Sequence, residues 1–564
     1  MRSAKGIALV ATLSLLVLIA ILVFGTFFTT QLELWITRND TSSVQAFYAA
    51  EAGVQKYKAA LFQQYVWQER NGSVPQTGGS TVCYSVFLEG IDWNRNGTLD
   101  NEERFVSNTM TLATDEPVVD AQGRPVGRYT VTLQRSTTPR IYTLISTGES
   151  GGARARVQAT VLLETPSPLN VAIFAGSGQA NRWLNGGATI RGGIYIVGDP
   201  NNPDREVISS NGNFSLLNRY DLTNTQVYGS LGNYVSEANR RANDLCASLR
   251  VQYGKISVGG STQIGEPDNK VKGVFVGRGL QDITGNAVGV CTRTRGVCTE
   301  AIGGFDLSDP PAFPTLDGPG GCGEGNSWRT CLREEAASGL RIVRGSPPSI
   351  SWPLLAIPPA PPPSCLTAFS GTTVRLDGQT VDCSYTLPSG AKGGFQYTPG
   401  SPATLEVYGT VVLEGFDLAL DREVRYVAQT GSARNAVLAV LAQNGSRGNL
   451  DINGNLLPNT NQGLFPEHVL GLVAERNVYQ RGRYVTAPVY AGGTFRIVRQ
   501  NVLVGSVVSN EFCTTSAGNQ TNCAAGQSAE VVFVNTGASR PRPLQLLDRT
   551  AGRYAFLVLS HERR

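Results

Sequence analysis

The sequence predicts an α+β protein: a long N-terminal helix with an antiparallel sheet, carrying a large all-β insertion of the β-solenoid type. Three observations support this. An uncharged run, Ile7–Phe28, passes without interruption into an amphipathic pattern. Between 128 and 164 the apolar period falls to two. From about Asn170, short β runs separated by Gly and Asn recur without a strict repeat.

A chain of 564 residues has room for several domains. Charged residues are 16%, which argues against a largely disordered chain. A net charge of +4 excludes a polycation and leaves room for a local basic patch. His occurs only twice, so a His-based metal centre or a His-driven enzyme has little material. Neither a Walker A nor an H-E-x-x-H motif is present. Asp417 and Asp421 are close in sequence but read as a solvated pair, so no enzyme is expected.

Eight of the ten cysteines fall into neighbouring couples: Cys291/Cys298, Cys322/Cys331, Cys365/Cys383 and Cys513/Cys523. C-x-x-C is absent and no His is nearby, which disfavours zinc. The couples read as small disulfide-closed loops made in an oxidising compartment. Cys83 and Cys246 are left for a long-range fifth bridge.

The N-terminus reads MRSAKG, then the apolar Ile7–Phe28, long enough to span a bilayer as a helix. The pattern continues through Leu32, Trp35, Ile36, Val44, Phe47, Tyr48, Val54, Tyr57 and Leu61. This predicts a single helix of roughly 55 residues, apolar first and amphipathic later.

With its short basic leader ending in Gly6, the chain resembles the type IV pilins. The resemblance implies cleavage between Gly6 and Ile7 by a prepilin peptidase. Most pilins carry Glu at the fifth mature position; here it is Ala11, which in this family marks a minor pilin or pseudopilin at the filament tip. The stretch QAFYAAEAG, Gln45–Gly53, resembles the helix signature of PilX-type minor pilins. As far as the segment 153–164 the resemblance is carried by motif, and beyond it by architecture and size. It implies inner-membrane anchoring before assembly, then a place at the pilus tip on the cell surface above a second minor pilin. For competence pili it further implies capture of extracellular DNA for natural transformation. A tip adhesin and a pseudopilin cap that primes assembly are the alternatives.

Residues 92–103, DWNRNGTLDNEE, fit the D-x-[DN]-x-[DN]-G-x5-E calcium loop. Asp92, Asn94 and Asn96 offer side-chain oxygens, and Gly97 makes the turn. Thr98 offers a carbonyl, Asp100 acts directly or through water, and Glu103 closes the site. Hard oxygen donors suit Ca²⁺, and two Asn in place of Asp predict weak affinity.

Strands are expected at 128–136, 140–150 and 153–164, packed on the helix. The expected layout is leader 1–6, membrane segment 7–28, amphipathic helix 29–65, head 66–168, β insertion 169–525, and 526–564 returning to the first sheet. A β-sandwich is the second reading of the insertion. Residues 236–250 read as an inserted helix, and the proline-rich 344–365 as a loop or polyproline II crossover.

Within the insertion, basic and acidic residues nearly balance, 28 against 27 over 169–525, so affinity for nucleic acid requires local clustering. Arg476, Arg481, Arg483, Arg496 and Arg499 lie in a segment without Asp or Glu, interleaved with Tyr479, Tyr484, Tyr490 and Phe495. Guanidinium forks suit phosphate and aromatic rings suit bases. The candidate DNA contacts are Arg476, Arg481, Arg483, Tyr484, Arg496 and Arg499, reading duplex DNA without sequence preference. Arg240, Arg241, Arg250, Lys255, Arg278, Arg293 and Arg295 are a secondary group.

Overall fold

The computed structural model describes residues 3–71, 90–96, 99–136, 141–164, 168–181, 187–210, 213–305, 310–318, 322, 325–337, 339–351, 353, 356–358, 360–516, 523, 528–550 and 555–563.

Helix α1 (Ser3–Asn71) has 69 residues, about 100 Å at 1.5 Å per residue, and so exceeds the sequence expectation at both ends. In its first half Leu9, Leu13, Leu16, Phe24, Phe27 and Trp35 are exposed, and the most apolar window has a mean hydropathy of 2.7. Such a length of apolar helix, bare of its own chain, is suited to lipid or to neighbouring subunits.

Further along, one side of α1 turns inward. Ala46, Ala49, Ala50, Val54, Leu61 and Tyr65 are buried at the three- and four-residue spacing of a helix stripe. They pack on an antiparallel sheet ordered β1 (Thr109–Val119), β2 (Pro125–Arg135), β3 (Ile141–Ser150), β4 (Ala153–Glu164) and β5 (Ala555–Arg563). The small residues of the Gln45–Gly53 signature allow a close approach. A Cβ on Gly148 of β3 would overlap the Ala46 carbonyl and the Ala50 amide, and one on Gly53 would lie 2.8 Å from the Tyr129 ring. Strand β1 lies outside the three expected strands. Register shifts around Ala113–Glu116 and a positive φ at Asp115 break its alternation, which hides it from a period-two reading.

Residues between β4 and β5 build the β region as three ladders of mostly parallel strands. In spatial order, the first ladder stacks 403–408, 424–429, 456–458, 484–487, 502–505, 529–533, 188–191, 215–217, 263–264 and 296–297. The second stacks 340–343, 410–414, 435–441, 469–474, 489–491, 507–509, 173–175, 194–196, 248–251, 273–276 and 302–303. The third stacks 373–376, 417–420, 450–452, 478–480, 494–498 and 511–515. It resumes beyond the Ser177–Asn181 turn with 206–210, 255–258 and 283–284. Their inward side chains, among them Ile190, Leu438, Val485, Phe495, Val274 and Ile256, form one apolar core.

The chain joins this stack in its middle. It runs from Ile173 to one end, crosses to the other end through 304–339, and returns strand by strand to Phe533. Neighbouring turns differ in length: the step from Val478 to its partner Phe495 is much shorter in sequence than the step from Leu450 to its partner Val478. Insertions at the corners absorb the difference, which is why no strict repeat is visible.

Two expectations need correction. The run 529–535 does not return to the first sheet, and the β insertion extends past 525. Ala529–Phe533 pairs with 502–505 and 188–191, and Val531 faces the stack core. Residues 236–250 are not a helix. They form a turn at Glu237–Asn239, a short strand Arg241–Ala242 and the start of strand Ser248–Val251. Ala247, Leu249 and Val251 enter the core at period two, a pattern a helix cannot satisfy.

Two of the ladders have covered outer surfaces. Over the first, Tyr220, Leu222, Tyr228, Leu231 and Val235 pack on Leu457, Tyr484, Val502, Val504 and Val532. Over the second lie helices α2 (Trp328–Ala337) and α3 (Arg542–Thr550), with Trp328 against Tyr490 and its Nε1 donating to the Pro543 carbonyl at 2.9 Å. Arg329 forks onto Glu475 at 2.6 and 2.9 Å, and Arg333 and Arg341 hold the buried Glu414. No apolar cluster of the described residues covers the third ladder. The structure bonds Cys291–Cys298, Cys322–Cys331, Cys365–Cys383 and Cys513–Cys523. Cys246 is also disulfide-bonded; Cys83 lies outside the described residues.

Gly148→Ala is expected to push α1 away from β3 and cost about 1–3 kcal/mol by overpacking, lowering the melting transition of the helix–sheet module. Gly303→Ala, where a Cβ meets nothing within 4 Å, is expected to leave the melt unchanged. Differential scanning calorimetry of the full chain in detergent checks both.

Candidate nucleic-acid interface

The third ladder and its two edges carry Arg476, Arg481, Arg483, Arg496 and Arg499. Tyr479 and Arg496 stand opposite each other in register, with Asp451 and Cys513 as the next neighbours. The Arg496 guanidinium lies over the Tyr479 ring, 5.1 Å from its centroid, and Nη1 donates to the phenol oxygen at 3.0 Å. Below them, Arg375 Nη1 meets Asp421 at 2.8 Å and Arg447 Nη1 meets Asp417 at 3.0 Å. Asparagines link the strands: Asn477 Nδ2 donates to Asn449 Oδ1 at 3.0 Å, and Asn449 Nδ2 to Asp417 Oδ1 at 2.9 Å. Burial between strands pushes the Asp451 carboxyl up. The Arg481 charge opposes that, while Asp417 and Asp421 reinforce it.

The edge where the third ladder turns into the first is built from short polar turns. Arg422 follows Asp421, Asn453-Gly454-Asn455 comes next, then Arg481-Gly482-Arg483, then Arg499-Gln500-Asn501. Gly482 is required here, because a Cβ on it would overlap the Gly454 carbonyl. Arg481 Nη1 donates to Asn453 Oδ1 at 2.9 Å, Arg483 lies over the Tyr484 ring at 5.1 Å, and Arg483 and Arg499 are exposed. Arg476, Arg481, Arg483 and Arg499 form no ion pair among the described residues. One register step separates Tyr479 from Arg496, and two positions separate Tyr479 from Arg481. Arg481, just past the end of the 478–480 strand, and Arg496 therefore lie on neighbouring strands of the stack.

The six nominated residues do not form one cluster. Arg481, Arg483 and Arg499 share the third-to-first edge, and Arg496 stands on the open face beside it. Arg476 sits at the opposite edge, its Nη1 on the Gly445 carbonyl at 3.3 Å. Tyr484 is 7% exposed and lies beneath the Tyr220–Val235 cover of the first ladder, so it cannot stack on a base. The aromatic on the open face is Tyr479, which sequence reasoning did not nominate. Parity hid this, since the turn at Gly482 changes the face between the two tyrosines. In the secondary group, Arg241, Lys255 and Arg278 are ion-paired to Asp221, Asp204 and Asp282, and Arg250 lies over Phe275.

In the loop at 92–103, Asp92 and Glu103 are 1% and 7% exposed. Asp92 Oδ1 and Asn94 Oδ1 both accept from the Asn96 amide, at 3.1 and 3.0 Å. Glu103 accepts from the amides of Trp93, Asn94 and Asp100 at 2.8, 3.2 and 3.1 Å. Asn94 Nδ2 donates to Asp100 at 3.0 Å. Gln64 of α1 donates to the Asp92 carbonyl and ties the loop to the helix. Thr98 lies outside the described residues. Among the described residues no three His, Cys, Asp or Glu side chains gather as a metal site. The loop's donors are the buried carboxylates of Asp92 and Glu103, the exposed carboxylate of Asp100 and asparagine amide oxygens, the oxygen type that suits a hard cation.

A membrane-length helix packed on an antiparallel sheet, with a long β insertion before the last strand, is the architecture of a pilin. The crystal structure of the competence-associated pilin ComZ from Thermus thermophilus is similar to this chain at 57% identity and a TM-score of 0.74, covering 93% of this chain and 98% of that one. The chain belongs to the ComZ family of competence-associated pilins. No family model and no curated protein matches it.

Glu103→Ala removes the acceptor of three backbone N–H groups. With chelator present it is expected to destabilise the head by about 1–3 kcal/mol, read as earlier proteolysis near the loop.

Proposed function

We propose that the chain is a minor pilin at the tip of a type IV competence pilus, and that its β region is a β-solenoid presenting one edge to extracellular duplex DNA. The observation that carries this is the edge itself: exposed Arg483 and Arg499 and half-buried Arg481, none of them in an ion pair among the described residues, stand beside the only ladder whose outer surface has no apolar cover among the described residues. The lower part of the same face is neutralised by Asp417 and Asp421, so phosphate contact centres on the turns at 481–483 and 499–501. Tyr479 braces Arg496 and Tyr484 is covered. Recognition therefore runs through phosphates rather than bases, which suits duplex DNA of any sequence. The role is structural and non-catalytic.

Before assembly the exposed apolar half of α1 anchors the chain in the inner membrane, and a prepilin peptidase cleaves between Gly6 and Ile7. A second minor pilin sits beneath it in the filament. N-terminal sequencing of pilus material is expected to begin at Ile7; a start at Met1 contradicts the maturation step.

The loop at 92–103 binds one Ca²⁺ through Asp92, Asn94, Asn96, Thr98, Asp100 and Glu103, fixing the head against Gln64. A ligand of the folded state stabilises it by mass action. Millimolar Ca²⁺ is expected to raise the melting temperature of the parent and not of Glu103→Gln, and an equal rise in both contradicts the site.

For DNA, affinity is expected to fall with salt at a log–log slope of about −0.9 per phosphate contacted. Arg481→Ala/Arg483→Ala is expected to weaken binding alike for all sequences and flatten that slope by about two. Fluorescence anisotropy across a salt series measures both. Absence of binding by the parent at low salt overturns the reading, and adhesion then becomes the better one.

A further inference from the structure

The strands of the first ladder continue past 484–487 and 502–505 to the end of the stack at 296–297, where the connection from the third ladder carries a second basic feature. Between strands 283–284 and 296–297 the chain makes a turn closed by the Cys291–Cys298 disulfide. Cys291 bridges to Gly296, the Thr292 amide donates to the Arg295 carbonyl at 3.0 Å, and the Arg295 amide donates to Thr292 Oγ1 at 3.2 Å. Gln263 Nε2 holds the Arg293 carbonyl from the strand beneath, at 2.8 Å. The backbone is thus clamped from three directions, and two guanidinium groups project from it. Arg293 is 71% exposed and meets Asp268 at 3.2 Å across the surface, a pair that solvent screens. Arg295 is exposed and forms no ion pair among the described residues.

Its place on the edge gives the turn its significance. Along the first ladder, six inter-strand steps lead from 484–487 to 296–297, about 29 Å at ~4.8 Å per step. Duplex DNA rises ~3.4 Å per base pair, so the same span is about 8–9 base pairs. We infer that the Arg293–Arg295 turn is a second phosphate contact for the DNA held at Arg481, Arg483 and Arg499, so that the duplex lies along the edge of the stack. This rests on the DNA reading given above and adds an orientation and a footprint to it. Two contacts on one continuously paired stack act as a linked pair, so a duplex long enough to reach both binds more tightly than one that reaches only the first.

The test uses the full chain in detergent and two hairpin-closed duplexes, one with a stem of about 6 base pairs and one of about 20, lengths chosen below and above the span. Arg293→Ala/Arg295→Ala is expected to bind the short stem as the parent does. For the long stem it is expected to lose about tenfold in affinity and to flatten the salt slope by about two. Arg293→Lys/Arg295→Lys, which keeps the charge, is expected to retain most of the affinity for the long stem. A variant that matches the parent on both stems, or loses equally on both, overturns the second contact while leaving the central one standing. A parent that binds neither stem at low salt overturns the DNA reading, and this inference with it.

Discussion

The large β region depends on a pairing between strands from the two ends of the insertion: Ile173, Phe174 and Ala175 lie in parallel register with Val507, Val508 and Ser509. This splice joins the part of the stack that grows outward from Ile173 to the part that returns from the far end. It also brings the incoming and outgoing chains side by side, so that β4 and β5 can pair in the first sheet. Buried Arg540 secures the crossing, donating to the Leu169 carbonyl at 3.3 Å, Asn170 Oδ1 at 3.2 Å and Thr536 Oγ1 at 3.2 Å. A second tie lies beside it, where Arg191 and the Tyr228 hydroxyl share Glu530. A body larger than the rest of the chain is thereby inserted before the last strand of a small sheet without interrupting that sheet.

Stacked parallel strands bury their inner faces by construction, while their outer faces depend on what the connections supply. Here the long connections are used as covers. The segment from Tyr220 to Val235 closes over the first ladder, and the crossover with α2, joined by α3, closes over the second. The third ladder keeps polar turns and an outer surface of Arg, Asn, Asp and Tyr. On this surface asparagines link adjacent strands and arginines lie over rings or beside carboxylates, so much of its polarity is structural. Charge left without a partner concentrates at the edge turns, where short Gly-containing connections bring the backbone close to the surface.

The sequence showed α1, β2 to β4 and the neighbouring cysteine couples because each is a local signal. The uncharged run from Ile7 to Phe28, a period of two, or two cysteines close together can be read without tertiary information. Gly53 and Ala46 carried a family resemblance in the sequence, and the structure supplies its physical basis in the close approach of α1 to Gly148. The order of the stack was not legible, since no local feature of Ile173 points to Val507. The misplacement of 529–535 has the same origin: an alternating apolar strand fits either sheet until register is known. For the candidate site, the arginine-rich segment was visible as composition, but its division between two edges was not. Each corner turn resets the alternation, so counting from Tyr479 to Tyr484 gives the wrong face. Arg375 from its strand, and Arg422 and Arg447 from corner turns, reach the same ladder from earlier in the chain, and only the pairing of strands brings them there.

The most direct test of DNA capture at the edge turns is a hydrogen-exchange footprint of the full chain with and without a saturating duplex of random sequence. Slowed exchange is expected at the amides of 481–483 and 499–501. No change is expected at α2, at α3 or in the Tyr220–Val235 cover. Protection confined to those covers, with the edge turns unchanged, would contradict DNA capture at this edge.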